Sequence, residues 1–164
     1  MILREPFGAA EVRFWRIDSE RHGADWESGE GAFRVGGRWN SPGKHVVYTS
    51  LDPATAILEV AVHKGFQVLD TQPHVLTSSR IIDPRAVHIV RPEDVPNPNW
   101  LRPGRSNSNQ QRFGDELLKV HGFVAIPSVV SPYSWNLIFD PANAAGCYDC
   151  VEQERFALDP RLQT

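Results

Sequence analysis

The alternation of apolar and polar positions divides the chain into short strands, two clear helices and long connecting loops. Phe14-Trp15-Arg16-Ile17 reads as a first short strand, and the polar, glycine-rich residues 18–32 read as a loop. Phe33 to Tyr48 reads as two strands or near-strands around a Ser41-Pro42-Gly43 turn, with Val46-Val47-Tyr48 the clearer of the two. Asp52-Pro53 predicts a helix start, because Asp caps and Pro suits the first helical position. This helix should run to about His63 and stop at Gly65. Val75 to Ile82 reads as a strand stopped by Asp83-Pro84. Residues 91–108 hold Pro92, Pro96, Pro98 and Pro103 and predict a long irregular segment, of the kind that often carries function. Gln110 to Val120 reads as a second helix; Phe123 to Ile126, Asn136 to Phe139 and Val151 to Phe156 read as strands. The pattern predicts an α+β single domain, with mainly antiparallel strands and a few helices.

The first helix is unusual in its charge. At about 100° per residue, Ala54, Ile57, Leu58, Ala61 and Val62 share one face. Thr55, Glu59 and His63 form a narrow polar stripe beside it, and Ala56 and Val60 cover much of the remainder. Glu59 is the helix's single carboxylate, so it lies either on a thin exposed edge or aimed into a site. His63 is placed to pair with it one turn on, or to face the negative end of the helix in a structural role.

The stretch Gly36-Gly37-Arg38-Trp39-Asn40, followed by Ser41-Pro42-Gly43, is the richest in candidate chemistry. Glycines allow close backbone approach or positive φ. Here they precede a cation, an indole and an amide, three ways to hold a flat, phosphate-bearing ligand. The alternative is a decorated hairpin, with Arg38 on the surface and Trp39 in the core. A second polar cluster runs from Pro127 to Asn136. Ser128 is placed to bond a ligand or its own turn, and Asn136 to face a site or a buried backbone group. No G-x-S-x-G elbow is present, which argues against a hydrolase-type nucleophile.

Composition narrows the classes. A chain of 164 residues with 41% hydrophobic content suits one domain with an ordinary core. The net charge of −3 offers no basic field for a nucleic-acid backbone. No apolar run approaches the roughly 20 residues of a membrane helix. Met1-Ile2-Leu3-Arg4-Glu5-Pro6 carries no secretory apolar run, so a cytoplasmic location is expected. Cys147 and Cys150 form a C-x-x-C pair that lacks the further patterned ligands of a zinc site. It follows a loop rather than opening a helix after a strand, so two reduced thiols are expected.

Taken in order, Arg16 in Phe-Trp-Arg-Ile, Arg38 in Gly-Gly-Arg-Trp-Asn, Tyr48 in Val-Val-Tyr, Glu59 in Leu-Glu-Val-Ala-Val-His, Ser128 in Ile-Pro-Ser and Asn136 before Leu-Ile-Phe-Asp-Pro resemble the RES domain. The resemblance covers residues 12–158. It departs from the family at Asp140-Pro141, where Asn-Pro is more usual, and in the length of the N-terminal extension. It implies a split, mainly antiparallel sheet similar to that of ADP-ribosyltransferases. It also implies the toxin of a bacterial toxin–antitoxin pair, with an Xre-type antitoxin as partner and a homodimer or toxin–antitoxin hetero-oligomer as the assembly. NAD⁺ would be the substrate, cleaved at the nicotinamide–ribose bond by hydrolysis or phosphorolysis, with no metal, nucleic acid or membrane required. By that resemblance Glu59 is the catalytic carboxylate and Arg38 holds the phosphates or ribose. Tyr48 orients the nicotinamide end and Ser128 positions the ligand, with Arg16 and Asn136 as further contacts. The alternatives are a mono-ADP-ribosyltransferase acting on a protein and a ribonuclease-type toxin built on His45, His63 and Arg38; a catalytically silent binding domain is the remaining one.

Overall fold

A computed structural model describes residues 11–163; Met1 to Pro6, considered above for a secretory run, lie outside the described residues. Seven strands form one sheet: β1 (Arg13–Ser19), β2 (Val47–Ser50), β3 (His74–Ile81), β4 (Val87–Ile89), β5 (Phe123–Pro127), β6 (Trp135–Phe139) and β7 (Tyr148–Phe156). Their order across the sheet is β4-β5-β6-β2-β1-β3-β7. All pairs are antiparallel except β4–β5, which is parallel. The helices are α1 (Glu30–Val35), α2 (Pro53–Lys64), α3 (Phe66–Thr71) and α4 (Ser108–Val120). The expected α+β domain with a mainly antiparallel split sheet is therefore present.

The sheet is split between β1 and β2. Those strands share the single register pair Trp15↔Ser50. On either side the pairing is extensive: β1 matches β3 from Arg13↔Arg80 to Ser19↔His74, and β2 matches β6 from Val47↔Phe139 to Ser50↔Asn136. Strand period two sorts the core. Phe123, Ala125, Leu137 and Phe139 join Phe14, Trp26 and Trp135 on one face. Val124, Ile126 and Ile138 join Trp39, Trp100 and Leu118 on the other. A third cluster of Ile17, Ala61, Leu69 and Leu158 fixes α2 and α3 beside β1.

Helix α2 begins as expected. The Asp52 side chain accepts from Thr55 N at 2.8 Å and from Thr55 Oγ1 at 2.6 Å, and Pro53 opens the helix. Its packing face differs from the simple apolar stripe. Thr55, Ala56 and Ala61 are buried, whereas Leu58 and Val62 stand exposed, Val62 by 63%. Ala61 packs in one cluster with Ile17 of β1, while Ala56 and Glu59 line the cleft.

Three further elements depart from the sequence pattern. Phe33 lies in α1, not in a strand. Gly29 (φ 66°) and Gly36 (φ 74°) end this helix on both sides, and Arg34 donates to Glu30 one turn back at 2.8 Å. Gly65 adopts φ 84°, and the chain restarts as α3 instead of leaving the helical layer. β4 is a three-residue parallel strand, too short to show a period.

Helix α4 is braced against the glycine-rich turn through its own glycine. A Cβ at Gly114 would lie 1.9 Å from the Trp39 carbonyl oxygen. Gly114→Ala should therefore destabilise the fold by about 1–3 kcal/mol through overpacking. The effect is read as a lower urea midpoint with an unchanged slope.

Candidate functional site

The split opens a cleft of about 680 Å³ between the sheet, α1, α2 and the proline-rich segment. Arg16, Arg38, Tyr48, Glu59 and Asn136 all line it, together with Ser50, His63 and Lys64. Ser128 lies behind Glu59 and reaches it directly. The structure thus gathers all six residues singled out in the sequence. His45 lies elsewhere: it stacks on Phe33 with ring centroids 4.3 Å apart and bonds Ser28 O at 3.1 Å.

Glu59 is held by neutral donors. Ser128 Oγ donates to its Oε1 at 2.8 Å, and Asn136 Nδ2 donates to the same oxygen at 2.6 Å. Both partners are themselves fixed. The Ser131 backbone N–H donates to Ser128 Oγ at 3.0 Å, and Ser50 Oγ donates to Asn136 Oδ1 at 2.9 Å. The bonds to Glu59 come from β6 and the turn after β5, not from His63 on the same helix.

Arg38 stands at the tip of a tight turn closed by Gly37 N to Asn40 O at 3.0 Å. Its flanking residues are buried, Trp39 at 2% exposure and Asn40 at 0%. Asn40 Nδ2 donates to the Ala32 and Ser41 carbonyls at 3.2 and 3.0 Å. Tyr48 donates its phenol to Asn40 Oδ1 at 2.7 Å and accepts the Trp39 backbone N–H at 3.0 Å. A Cβ at Gly37 would lie 2.5 Å from the Tyr48 oxygen, so only glycine fits beneath the turn. The Tyr48 hydroxyl thereby anchors the arginine turn, and Tyr48 itself lines the cleft. Burial pushes the phenol's pKa far above its usual value, so it serves as a fixed neutral donor.

The Arg38 guanidinium donates to Gly104 O at 2.8 Å and to Trp100 O at 3.4 Å. The proline-rich segment is therefore part of the site. Partial burial lowers the pKa of Arg38 from its ordinary value, and the charge of Glu59 across the cleft opposes that shift. Arg16 is bound within the protein. It bonds both Asp18 carboxylate oxygens through Nε, at 3.0 and 2.9 Å, and donates from Nη1 to Tyr48 O at 2.8 Å. Burial pushes the Asp18 carboxyl up, and the neighbouring Arg16 pulls it back down.

Sequence reasoning missed Ser50, Asp18 and the α4 contacts. Gln111 Nε2 donates to Gly37 O at 2.9 Å, and Asp115 Oδ1 accepts from Ser41 N at 3.1 Å. A glycine in the middle of an otherwise regular helix was the available signal for the α4 contact. Among the described residues, no group of three or more His, Cys, Asp or Glu is arranged to hold a metal ion. No described helix is long and apolar enough to cross a membrane.

The molecule is thus an α+β domain whose split sheet sets a half-buried arginine opposite a hydrogen-bonded glutamate. The RES domain model matches residues 13–159, and the chain belongs to that family. It aligns with the family's toxins over nearly their full length. It is 31% identical over 152 residues to Toxin Res of Pseudomonas putida, covering 90% of this chain and 97% of that protein. It is 30% identical over 158 residues to the Prs ADP-ribosylating toxin of a Sphingobium strain, covering 91% and 95%. Among solved structures it is similar to a chain of the M. tuberculosis MbcT-MbcA toxin-antitoxin complex. The TM-score is 0.67 at 17% identity, with 90% of this chain and 85% of that chain covered, so the likeness is one of fold.

Tyr48→Phe should leave Asn40 Oδ1 and Trp39 N–H short of a partner and cost about 1–3 kcal/mol. Denaturation measures the loss, and amide hydrogen exchange should quicken at Trp39 before the strands.

Proposed function

We propose that this protein is the toxin of a toxin–antitoxin pair and consumes NAD⁺ by breaking the nicotinamide–ribose bond. The observation that carries the reading is the Glu59 carboxylate. One oxygen is held by Ser128 and Asn136, and the group faces a cleft whose opposite wall carries Arg38. Cleavage of this bond builds positive charge on the ribose. A fixed carboxylate stabilises that charge, as in glycoside hydrolysis. The C1′–N electron pair returns to the nicotinamide ring, which leaves neutral and needs no general acid. Water or phosphate then bonds C1′ and releases its proton. Arg38 would bind the pyrophosphate with the planar, bidentate geometry that lysine lacks. A phosphate oxygen would replace the Gly104 carbonyl as its partner.

The second reading keeps the same bond cleavage but transfers ADP-ribose to a protein side chain. The Sphingobium relative, named an ADP-ribosylating toxin, favours it. The partner expected under either reading is an antitoxin of the Xre type. A toxin–antitoxin complex stands among the structures of similar fold, which supports an antitoxin as partner but says nothing of its type.

Purified Glu59→Gln should lose NAD⁺ consumption by roughly a hundred-fold or more while keeping its melting profile. Consumption at the parental rate would sink the assignment. On the Glu59→Gln background, Arg38→Ala should weaken NAD⁺ binding roughly ten- to a hundred-fold by calorimetry. Mass spectrometry separates the two readings. Free ADP-ribose, or its 1″-phosphate when phosphate is supplied, identifies NAD⁺ destruction. ADP-ribose retained on a protein identifies transfer.

A further inference from the structure

We infer that Ser50 is a positioning residue of the site: its buried hydroxyl braces the Asn136 amide in the orientation that donates to Glu59. The inference rests on the role proposed for Glu59. Ser50 is 2% exposed, so its hydroxyl has little recourse to water. It stands at two pairings at once. Its backbone forms the single β1–β2 register pair with Trp15, and on the other side it lies directly opposite Asn136 in β6. Cross-strand neighbours have side chains within contact distance, and the Ser50 Oγ to Asn136 Oδ1 separation is 2.9 Å.

The chemistry of an amide makes this contact directional. Asn carries a carbonyl oxygen and an NH₂ group of nearly equal size, and the hydrogen-bond network alone selects between its two orientations. The Ser50 hydroxyl braces Oδ1 from one side, while the acceptor-only Glu59 carboxylate selects Nδ2 on the other. There Nδ2 meets Glu59 Oε1 at 2.6 Å. The reversed amide would turn its oxygen toward the carboxylate, and two acceptors would face each other. Glu59 would then keep only Ser128 as a donor and would lose its fixed rotamer. Ser50 lines the cleft, but its hydroxyl bonds Asn136 and not Glu59. It acts through Asn136.

The test combines a mutant cycle with an observation that needs no catalysis. Ser50→Ala removes one oxygen from a buried site and should lower kcat for NAD⁺ cleavage roughly ten-fold, with KM within about two-fold. On an Asn136→Ala background the same substitution should change nothing further. An unchanged kcat in Ser50→Ala, or effects that multiply in the double variant, would overturn the inference. Independently, the Asn136 side-chain NH₂ signals, assigned by their disappearance in Asn136→Ala, should show one proton displaced by the carboxylate bond. Ser50→Ala should reduce that displacement as the amide loses its brace, and Ser50→Thr, which keeps the hydroxyl, should retain it. A displacement that persists undiminished in Ser50→Ala overturns the inference. If the parental protein leaves NAD⁺ intact, the proposed reaction falls, and the amide signals still decide the role of Ser50.

Discussion

The structure depends on a strand pair that is cut short. β1 and β2 lie side by side yet share one register pair, Trp15↔Ser50. Full pairing would close the space that the cleft occupies. Parting two strands leaves backbone carbonyls in need of donors, and the chain supplies one from a side chain. Arg16 reaches across the split and donates to the Tyr48 carbonyl. A half-buried guanidinium is costly unless balanced, and Asp18, two residues along the same strand, balances it. The cleft is thus opened by substituting an ion-paired arginine for part of a sheet ladder. Arg16 holds the cleft's shape in this state, whatever it does when ligand is bound.

The same economy fixes Arg38. Its turn is gripped from three directions: by the Tyr48 phenol from the sheet, by Gln111, Gly114 and Asp115 from α4, and by the Gly104 and Trp100 carbonyls from the proline-rich segment. A flexible side chain ordered before binding loses less entropy when a ligand arrives. Gly37 is essential to this arrangement, because any Cβ would displace the phenol.

How much of this was legible in the sequence varies with the range of the interaction. The start of α2 was readable because Asp52, Pro53 and Thr55 form a local capping unit. The inward aim of Glu59 was not, because the helix is apolar on several sides. Its aim depends on long-range partners, the packing of Ala61 with Ile17 and the bonds from Ser128 and Asn136. Phe33 to Gly36 were misread as strand, and the residues before Phe33 as loop, because glycines at positive φ enclose a single short helix, which leaves no period to detect. The six chemistry-bearing residues were found through the order of their motifs, and the cleft brings them together. Ser50 escaped notice because a lone hydroxyl in a strand carries no local signal, and its partner Asn136 lies 86 residues away.

The site keeps its two opposite charges apart. Glu59 and Arg38 influence one another across the cleft, yet each takes its hydrogen bonds from neutral groups. A direct ion pair between them would satisfy both and leave little for a ligand to gain. Neutral partners hold each group in position without cancelling its charge. The cleft therefore keeps the Glu59 carboxylate on α2 apart from the Arg38 guanidinium at the glycine-flanked turn. A ligand that carries anionic groups at one end and develops positive charge at the other, as in the reaction proposed above, would be matched to both groups at once. In the proposed reaction that match would strengthen as the charge develops, and a site that improves its fit in the transition state lowers the barrier rather than merely binding the substrate.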